Sequence, residues 1–131
     1  MKRILLIEDD LELSRSILFG IELLNIPDLE TEIKLDGTDG LARVSSAPAP
    51  DLVILDMHLP NVAGQDIYEA IRRGIPDCKV IIMTANMALA REIRNRQGNW
   101  QVLPAPDDVF GKPFSLMEFQ HAVSEVLGVT V

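Results

Sequence analysis

Short runs of apolar residues alternate along this chain with segments in which apolar residues recur at helical spacing. The apolar runs span residues 4–7, 32–35, 52–55, 80–83 and, more weakly, 109–110. Runs of this length, bounded by turn residues, are typical of strands that are buried on both faces of a parallel sheet. The pattern therefore predicts five strands separated by helices.

The first predicted helix lies between the first two runs and has one apolar face. That face is formed, at spacings of four, four and three residues, by Leu13, Ile17, Ile21 and Leu24. Residues at these spacings lie on one side of an α-helix. Asp10 is placed to cap the start of this helix, which we expect to end before Pro27.

The next three helices have weaker patterns. We expect the second over residues 38–46, where Pro48 and Pro50 stop it, and the fourth near residues 88–96. The third follows Gly64, for which we expect a turn conformation with positive φ. Its apolar positions are Ile67, Ala70 and Ile71.

The last predicted helix has the clearest signals. Ser115 and Glu118 have the spacing of a capping box. One stripe of this helix is apolar and contains Leu116, Phe119, Val123 and Val126. Alternating strands and helices predict an α/β fold with a parallel sheet between helical layers, and the length fits one domain over residues 1–131.

The charge and the cysteine content narrow the classes of function. The chain has 12 Lys and Arg residues against 20 Asp and Glu residues, a formal net charge of −8, which disfavours binding to nucleic acid or to anionic membranes. Cys78 is the only cysteine, so no disulfide forms within the chain, and a cytoplasmic location is expected. No apolar run approaches the length of about 18 residues that predicts a membrane span.

Polar residues suited to chemistry follow four of the predicted strands. Glu8 and Asp9 follow the first run, Asp56 the third, Thr84 the fourth and Lys112 the fifth. Because the carboxyl ends of parallel strands share one edge of the sheet, we expect these side chains to lie close together. Clustered carboxylates repel one another, and a hard divalent cation such as Mg²⁺ relieves that repulsion. An aspartate beside a metal, an ammonium and a hydroxyl is suited to forming an aspartyl phosphate.

Four short motifs at these strand ends resemble those of one protein family. They are Ile-Glu-Asp-Asp at 7–10, Asp-Met-His-Leu-Pro at 56–60 with Gly64 eight positions after Asp56, Thr-Ala at 84–85, and Lys-Pro-Phe at 112–114. In this order they resemble the receiver domains of two-component response regulators, over nearly the whole chain. The resemblance implies phosphorelay signal transduction and a flavodoxin-like, doubly wound (βα)5 sandwich whose five-stranded parallel sheet has the order 2-1-3-4-5.

The resemblance also implies roles for individual residues. Asp56 would be the phosphoacceptor, and Thr84 and Lys112 would contact its phosphoryl oxygens. Mg²⁺ would be bound by the side chains of Glu8, Asp9 and Asp56 and by the main-chain carbonyl of His58. Asp9 would be the main carboxylate ligand.

The resemblance extends to partners. The phosphoryl donor would be a phosphohistidine on a sensor histidine kinase or a histidine phosphotransfer protein. An output domain or a protein partner would bind the face formed by the fourth helix, the fifth strand and the fifth helix, and the chain would be a monomer or a phosphorylation-dependent dimer. Such a domain assists its own phosphorylation and dephosphorylation, so we expect no independent enzymatic turnover.

Two further positions set how quickly water removes the phosphoryl group in this family. They lie two residues after the phosphoacceptor and two after the threonine, and here they are His58 and Asn86. We expect the His58 side chain to be exposed near the pocket and to tune this lifetime rather than to bind metal. We expect Trp100 to pack beneath a loop and His121 to face solvent.

Two features depart from the family pattern. The position three before the lysine, usually an aromatic residue that swings inward during switching, is Val109, and Phe110 should point to the opposite face of the sheet. Thr84 and Lys112 are 28 positions apart, which is longer than usual, and the excess falls in residues 98–108. That segment is either a modified partner interface or merely a longer loop.

Two other functions stay open on the sequence. A degenerate receiver would bind its partner without phosphorylation, and the valine at position 109 favours it. A Mg²⁺-dependent aspartate-nucleophile phosphatase would carry a second aspartate two residues after the nucleophile, but this chain has His58 there. Asp56, Lys112 and the pair Glu8 and Asp9 together favour the signalling role.

Overall fold

The computed structural model describes residues 1–129, in which five strands alternate with five α-helices. The strands are β1 (Lys2–Ile7), β2 (Leu29–Lys34), β3 (Leu52–Asp56), β4 (Lys79–Thr84) and β5 (Asp108–Gly111). The helices are α1 (Leu11–Glu22), α2 (Gly37–Val44), α3 (Gly64–Gly74), α4 (Met87–Arg94) and α5 (Leu116–Leu127). The predicted domain, residues 1–131, also includes Thr130 and Val131, which lie outside the described residues.

The five strands are parallel and form one sheet of order β2-β1-β3-β4-β5. β1 and β3 are adjacent at the centre, with Ile4 beside Leu52 and Ile7 beside Leu55. The predicted doubly wound, flavodoxin-like fold class is therefore confirmed. In such a sheet the strand order reverses between β1 and β3, and ligands bind outside the carboxyl ends of the strands at that point.

Two hydrophobic cores lie on opposite faces of the sheet, because side chains alternate across each strand. On one face Leu5 and Leu55 belong to a buried cluster with residues of α2, α3 and α4. On the other face Leu6 and Ile54 belong to a cluster with residues of α1 and α5. Burial of these apolar surfaces is the main stabilisation of the three layers, and it holds the strand ends in fixed positions.

Four helices begin at a side chain that accepts a hydrogen bond from the main chain. Asp10 Oδ1 accepts from the Leu13 N–H at 3.1 Å, which confirms the predicted cap of α1. Ser115 Oγ accepts from the Glu118 N–H at 3.3 Å, so one of the two bonds of a capping box is present in α5. The caps of α2 and α4 are Asp36 and Asn86.

The edge strand and the weaker helices differ from their predicted bounds. β2 covers residues 29–34, so it begins three residues earlier than the predicted run 32–35 and ends one residue earlier than that run. The difference arises because this edge strand is only half-buried and therefore lacks a continuous apolar run. α2 ends at Val44, and the hydroxyls of Ser45 and Ser46 donate to main-chain carbonyls of its last turn. α4 begins one residue and ends two residues before the predicted 88–96.

Gly64 is the first residue of α3, and its φ is not positive, so the predicted reason for this glycine was wrong. A Cβ at this position would lie 2.6 Å from Cα of Met57 and 2.9 Å from the main-chain oxygen of Asp56. The glycine is needed because the main chain after β3 passes directly against the start of α3. The loop that follows Asp56 is therefore packed against the first residue of α3.

Residues 98–108 form a folded connection between α4 and β5. It contains a 3-10 helix (Gly98–Gln101) in which Trp100 is 2% exposed. The Trp100 and Tyr68 ring centroids are 5.2 Å apart, and the Tyr68 hydroxyl donates to the Pro104 carbonyl at 2.5 Å. The predicted packing of Trp100 is confirmed, and the longer loop is anchored to α3.

Val109 and Phe110 point to opposite faces of β5, as predicted. Val109 is buried in the same cluster as Trp100. The Phe110 ring packs on the other face, 5.5 Å from Phe114 and 5.2 Å from Phe119 between centroids. Phe110 therefore does not replace the aromatic residue expected at position 109.

α5 packs one stripe of its surface against the sheet and exposes the other. Phe119 and Val123 of the predicted stripe are buried, whereas Leu116 is 38% exposed. His121 faces solvent, as predicted, with its Nε2 3.0 Å from Glu125 Oε1. Within residues 1–129 no helix combines the length and the apolar character that crossing a membrane requires.

Candidate functional site

Three carboxylates meet at the carboxyl ends of β1 and β3. Glu8 and Asp9 directly follow β1, Asp56 is the last residue of β3, and one carboxylate oxygen of each lies within 4.8 Å of the others. Glu8 and Asp56 are buried, and Asp9 is exposed at the mouth of the cluster. The adjacency of β1 and β3 brings these residues together, as the sequence predicted.

Lys112, which follows β5, supplies a positive charge to this cluster. Its Nζ lies 3.4 Å from Asp56 Oδ1 and forms a shorter hydrogen-bonded ion pair with Glu8 Oε1. Burial lowers the pKa of Lys112, but the hydrogen bond to Glu8 and the charges of Asp56 and Glu8 outweigh it and raise the pKa above its ordinary value. Lys112 is therefore an ammonium throughout the physiological pH range.

The donor set fits a divalent cation. Three carboxylates carry three negative charges and Lys112 carries one positive charge, which leaves an excess of two negative charges at one place. A side-chain hydrogen bond with Glu8, burial and the Glu8 charge raise the pKa of Asp9. Ionised Asp9 is thus disfavoured by its neighbours, and a hard cation with oxygen ligands removes that repulsion.

Thr84 ends β4 and is fully buried. Its Oγ1 accepts a hydrogen bond from the Asn86 N–H at 3.0 Å and lies 2.9 Å from Nε2 of His58. Asn86 also uses its side chain, because its Oδ1 accepts from the Leu89 N–H and caps α4. The hydroxyl of Thr84 is therefore held by residues of two loops.

His58 connects Thr84 to Asp56. Its main-chain N–H donates to Asp56 Oδ1 at 3.3 Å, and its exposed imidazole reaches Thr84 Oγ1. The predicted exposure of His58 is confirmed. The sequence did not predict its contact with Thr84, since no local pattern links positions that are 26 residues apart.

The structure thus gathers most of the predicted site residues and separates one. Glu8, Asp9, Asp56 and Lys112 form one cluster, and Thr84, His58 and Asn86 form a hydrogen-bonded group joined to it through Asp56. Val109 lies in the hydrophobic core beneath α4, and its carbonyl accepts from Arg94 at 2.7 Å. The Lys112 to Glu8 pair is a further feature that the sequence did not predict.

A parallel 2-1-3-4-5 sheet with three carboxylates and a lysine at its strand ends defines a domain of the receiver class. Residues 4–124 match the family model described as "Response regulator receiver domain". The chain belongs to this family. Receiver domains of this family are regulatory parts of two-component systems, and phosphorylation-based signalling is their general role.

Two of the curated proteins that this chain matches are transcriptional regulatory proteins. The "Transcriptional regulatory protein QseB" of Haemophilus influenzae is 31% identical over 97% of this chain and 59% of its own length. The "Transcriptional regulatory protein CiaR" of Streptococcus pneumoniae is 33% identical over 97% of this chain and 52% of its own length. The chain spans about half the length of the curated relatives it matches.

Solved structures share the fold. A CheY-like response regulator receiver domain protein from Methanospirillum hungatei JF-1 superposes with a TM-score of 0.81 at 23% identity, over 98% of this chain and 94% of that one. The receiver domain of the Francisella response regulator 1452 has a TM-score of 0.77 at 21% identity, over 98% of each chain.

Proposed function

We propose that Asp56 accepts a phosphoryl group from a phosphohistidine and that the resulting aspartyl phosphate changes the affinity of this domain for a partner. One observation carries the proposal. The Asp56 carboxylate is 2% exposed, lies 3.4 Å from the Lys112 ammonium and is clustered with two further carboxylates. A buried aspartate with a fixed cation beside it is arranged for nucleophilic attack on a phosphoryl group.

Transfer forms one bond and breaks one bond. A carboxylate oxygen of Asp56 bonds to phosphorus, and the bond between phosphorus and the donor's imidazole nitrogen breaks, with its electron pair passing to the imidazole. Positioning and charge stabilisation supply most of the catalysis in such a transfer. Lys112 stabilises negative charge on the phosphoryl oxygens, and the Thr84 hydroxyl donates a hydrogen bond to one of them.

Mg²⁺ is the cation that we propose for the carboxylate cluster. The residues that would hold it are Glu8, Asp9, Asp56 and the main-chain carbonyl of His58. When bound, Mg²⁺ neutralises charge on the carboxylates and on the phosphoryl oxygens. Lys112 then needs to neutralise only part of the charge of the site, which suits an ammonium that already pairs with both Glu8 and Asp56.

The lifetime of the aspartyl phosphate is the property that we assign to His58 and Asn86. Both contact Thr84 Oγ1, and both are exposed. They act on the rate at which water removes the phosphoryl group, and the domain has no independent turnover of phosphate esters.

The partners follow from the same proposal. A sensor histidine kinase or a histidine phosphotransfer protein donates the phosphoryl group, and an output domain or protein binds the face of α4, β5 and α5. Residues 98–108 border this face and are anchored through Trp100, so they contribute a fixed surface to it. We propose that residues 1–131 act as one receiver domain in the cytoplasm, as a monomer or as a dimer that forms on phosphorylation.

The test uses a small donor with a phosphorus–nitrogen bond. Purified protein is incubated with Mg²⁺ and phosphoramidate, and its intact mass is measured. We expect a single phosphoryl group that alkali removes and that the Asp56→Asn variant does not acquire. Phosphorylation of Asp56→Asn to the same extent as wild type would overturn the assignment of Asp56.

A further inference from the structure

The Thr84 hydroxyl is occupied by partners other than the carboxylate cluster. Asn86 N–H and His58 Nε2 lie 3.0 Å and 2.9 Å from Thr84 Oγ1, and within residues 1–129 this oxygen makes no hydrogen bond to Asp56. A hydroxyl has one proton and two lone pairs. A phosphoryl oxygen only accepts, so Thr84 would bind it with its one proton. The Asn86 N–H occupies a lone pair and leaves that proton free, whereas the contact with His58 competes for it when Nε2 is the acceptor.

We propose that His58 is a positioning residue that holds Thr84 in its unphosphorylated orientation and releases it when Asp56 is phosphorylated. The inference rests on the proposed function, because it concerns the hydroxyl that would contact the phosphoryl group. It assigns to His58 a direction of effect and a partner: the imidazole, with Nε2 accepting, competes with the phosphoryl group for the hydroxyl proton of Thr84.

The two partners of Thr84 differ in how easily they leave. The Asn86 contact comes from the main chain at the cap of α4, so breaking it disturbs the start of that helix. The His58 contact comes from an exposed side chain, which rotates into water without opening the core. His58 is therefore the partner that phosphorylation displaces.

The position of His58 couples phosphorylation of Asp56 to release of the Thr84 hydroxyl. Its main-chain N–H is bonded to Asp56 Oδ1, the same oxygen that lies 3.4 Å from Lys112. Addition of a phosphoryl group to the Asp56 carboxylate thus acts on the main chain of His58 and on the hydroxyl that its side chain holds. His58 is thus hydrogen-bonded both to the phosphoacceptor and to the threonine.

The side chain at position 109 cannot serve as the mobile partner of Thr84. Val109 has no ring, is buried with Trp100, and its carbonyl is bonded to Arg94. The side chain that touches Thr84 instead belongs to the loop between β3 and α3. Movement of Thr84 is consequently transmitted to the exposed imidazole of His58 and to the surface of that loop.

The kinetic test compares His58→Ala with wild type in phosphorylation by phosphoramidate and Mg²⁺. Removal of one hydrogen bond that holds Thr84 back should raise the phosphorylation rate about three- to tenfold. The same substitution in a Thr84→Val background should have no effect, because its target is gone. His58→Gln, which keeps a hydrogen-bonding side chain, should lie closer to wild type, and His121→Ala should match wild type.

A second readout uses the imidazole itself. The chain has two histidines, so ¹⁵N-labelled protein gives two sets of ring signals, with His121 as an internal reference. Thr84→Val should shift the His58 Nε2 resonance without phosphodonor, and phosphorylation of wild type should shift it in the same direction. Neither change should move the signals of His121.

The outcomes separate the two proposals. If wild type is phosphorylated on Asp56 and His58→Ala is slower than or equal to it, the role of His58 is overturned while the proposed function stands. An equal rate increase in the Thr84→Val background also overturns it. If wild type is not phosphorylated, the proposed function fails, and a His58 signal that Thr84→Val leaves unmoved overturns this inference independently.

Discussion

Lys112 forms a part-buried ion pair with Glu8, although 104 positions separate the two residues in the chain. Glu8 follows β1 and Lys112 follows β5, which are separated in the sheet by β3 and β4. The long lysine side chain extends along this edge of the sheet, and its Nζ also lies 3.4 Å from Asp56 Oδ1. One cation is thus shared by two buried carboxylates at the centre of the site.

Lys112→Gln should destabilise the protein at neutral pH, because it removes the cation that pairs with the buried carboxyl group of Glu8. We expect the free energy of unfolding to fall by about 1–3 kcal/mol, measured by urea denaturation. Lys79→Gln is the matched control, since the Lys79 side chain is about half exposed and lies 4.0 Å from Asp107. Equal losses from both substitutions would contradict the ion pair described above.

The same pair has a pH signature. The pKa of Lys112 is higher in the folded protein than in the unfolded chain. Its contribution to stability is therefore complete below the unfolded pKa of about 10.4 and is lost as the pH rises through the folded pKa. Wild type should lose more stability than Lys112→Gln above that pH, and parallel curves for the two proteins would contradict this explanation.

Asp9→Asn should raise the stability of the protein in the absence of divalent cations. The pKa of Asp9 is raised in the fold, so its ionisation costs stability as the pH rises through that pKa. Removing the charge at neutral pH should add up to about 1 kcal/mol, measured by urea denaturation in chelator. Wild type, in contrast, should gain about 2.7 kcal/mol at a Mg²⁺ concentration of about 100 times Kd, and Asp9→Asn should gain much less at that concentration.

Asp10→Asn serves as the control for Asp9→Asn. It removes the same charge from the neighbouring residue, and asparagine still caps α1 by accepting from the Leu13 N–H. Asp10 is not part of the carboxylate cluster, so Asp10→Asn should retain the Mg²⁺ stabilisation of wild type. Loss of that stabilisation in both variants would place the cation elsewhere.

Much of this arrangement was predictable from the sequence, because it depends on rules that act over short distances or over whole sheets. Apolar runs gave the strands, and the rule that parallel strands end along one edge brought Asp9, Asp56 and Lys112 together. Opposite orientations for Val109 and Phe110 followed from the alternation of side chains along a strand.

Other features depend on contacts that no local pattern encodes. β2 is a half-buried edge strand, so its start at Leu29 gave no apolar signal. The sequence led to the wrong reason for a glycine at position 64, because glycine is required there by the nearby main chain of Met57 and not by a positive φ. The bond between His58 and Thr84 arises only when two loops meet at the sheet edge.

Gly64→Ala should disturb the loop that holds Asp56 and His58. Its Cβ would meet main-chain atoms of Met57 and Asp56 and not the end of a flexible side chain, so we expect a loss of about 1–3 kcal/mol in the free energy of unfolding. Gly74→Ala is the control in the same helix, because nothing lies within 4 Å of a Cβ there. A fully stable Gly64→Ala protein would refute the close approach.

Trp100→Ala should be strongly destabilising, because it leaves a large cavity between residues 98–108 and Tyr68. We expect a loss of about 3–5 kcal/mol in the free energy of unfolding, measured by thermal or urea denaturation. Trp100→Phe retains a ring in the same place and should lose less. A near-neutral Trp100→Ala would show that this segment is a detached loop and not part of the core.

The most direct test of the central claim is the location of the phosphoryl group. Protein treated with Mg²⁺ and phosphoramidate is reduced with borohydride, which converts an aspartyl phosphate to homoserine, and its peptides are sequenced by mass spectrometry. We predict homoserine at position 56 and an unmodified aspartate at Asp9, with no homoserine in untreated protein. Homoserine at Asp9, or at no position, would contradict the assignment of Asp56 as the phosphoacceptor.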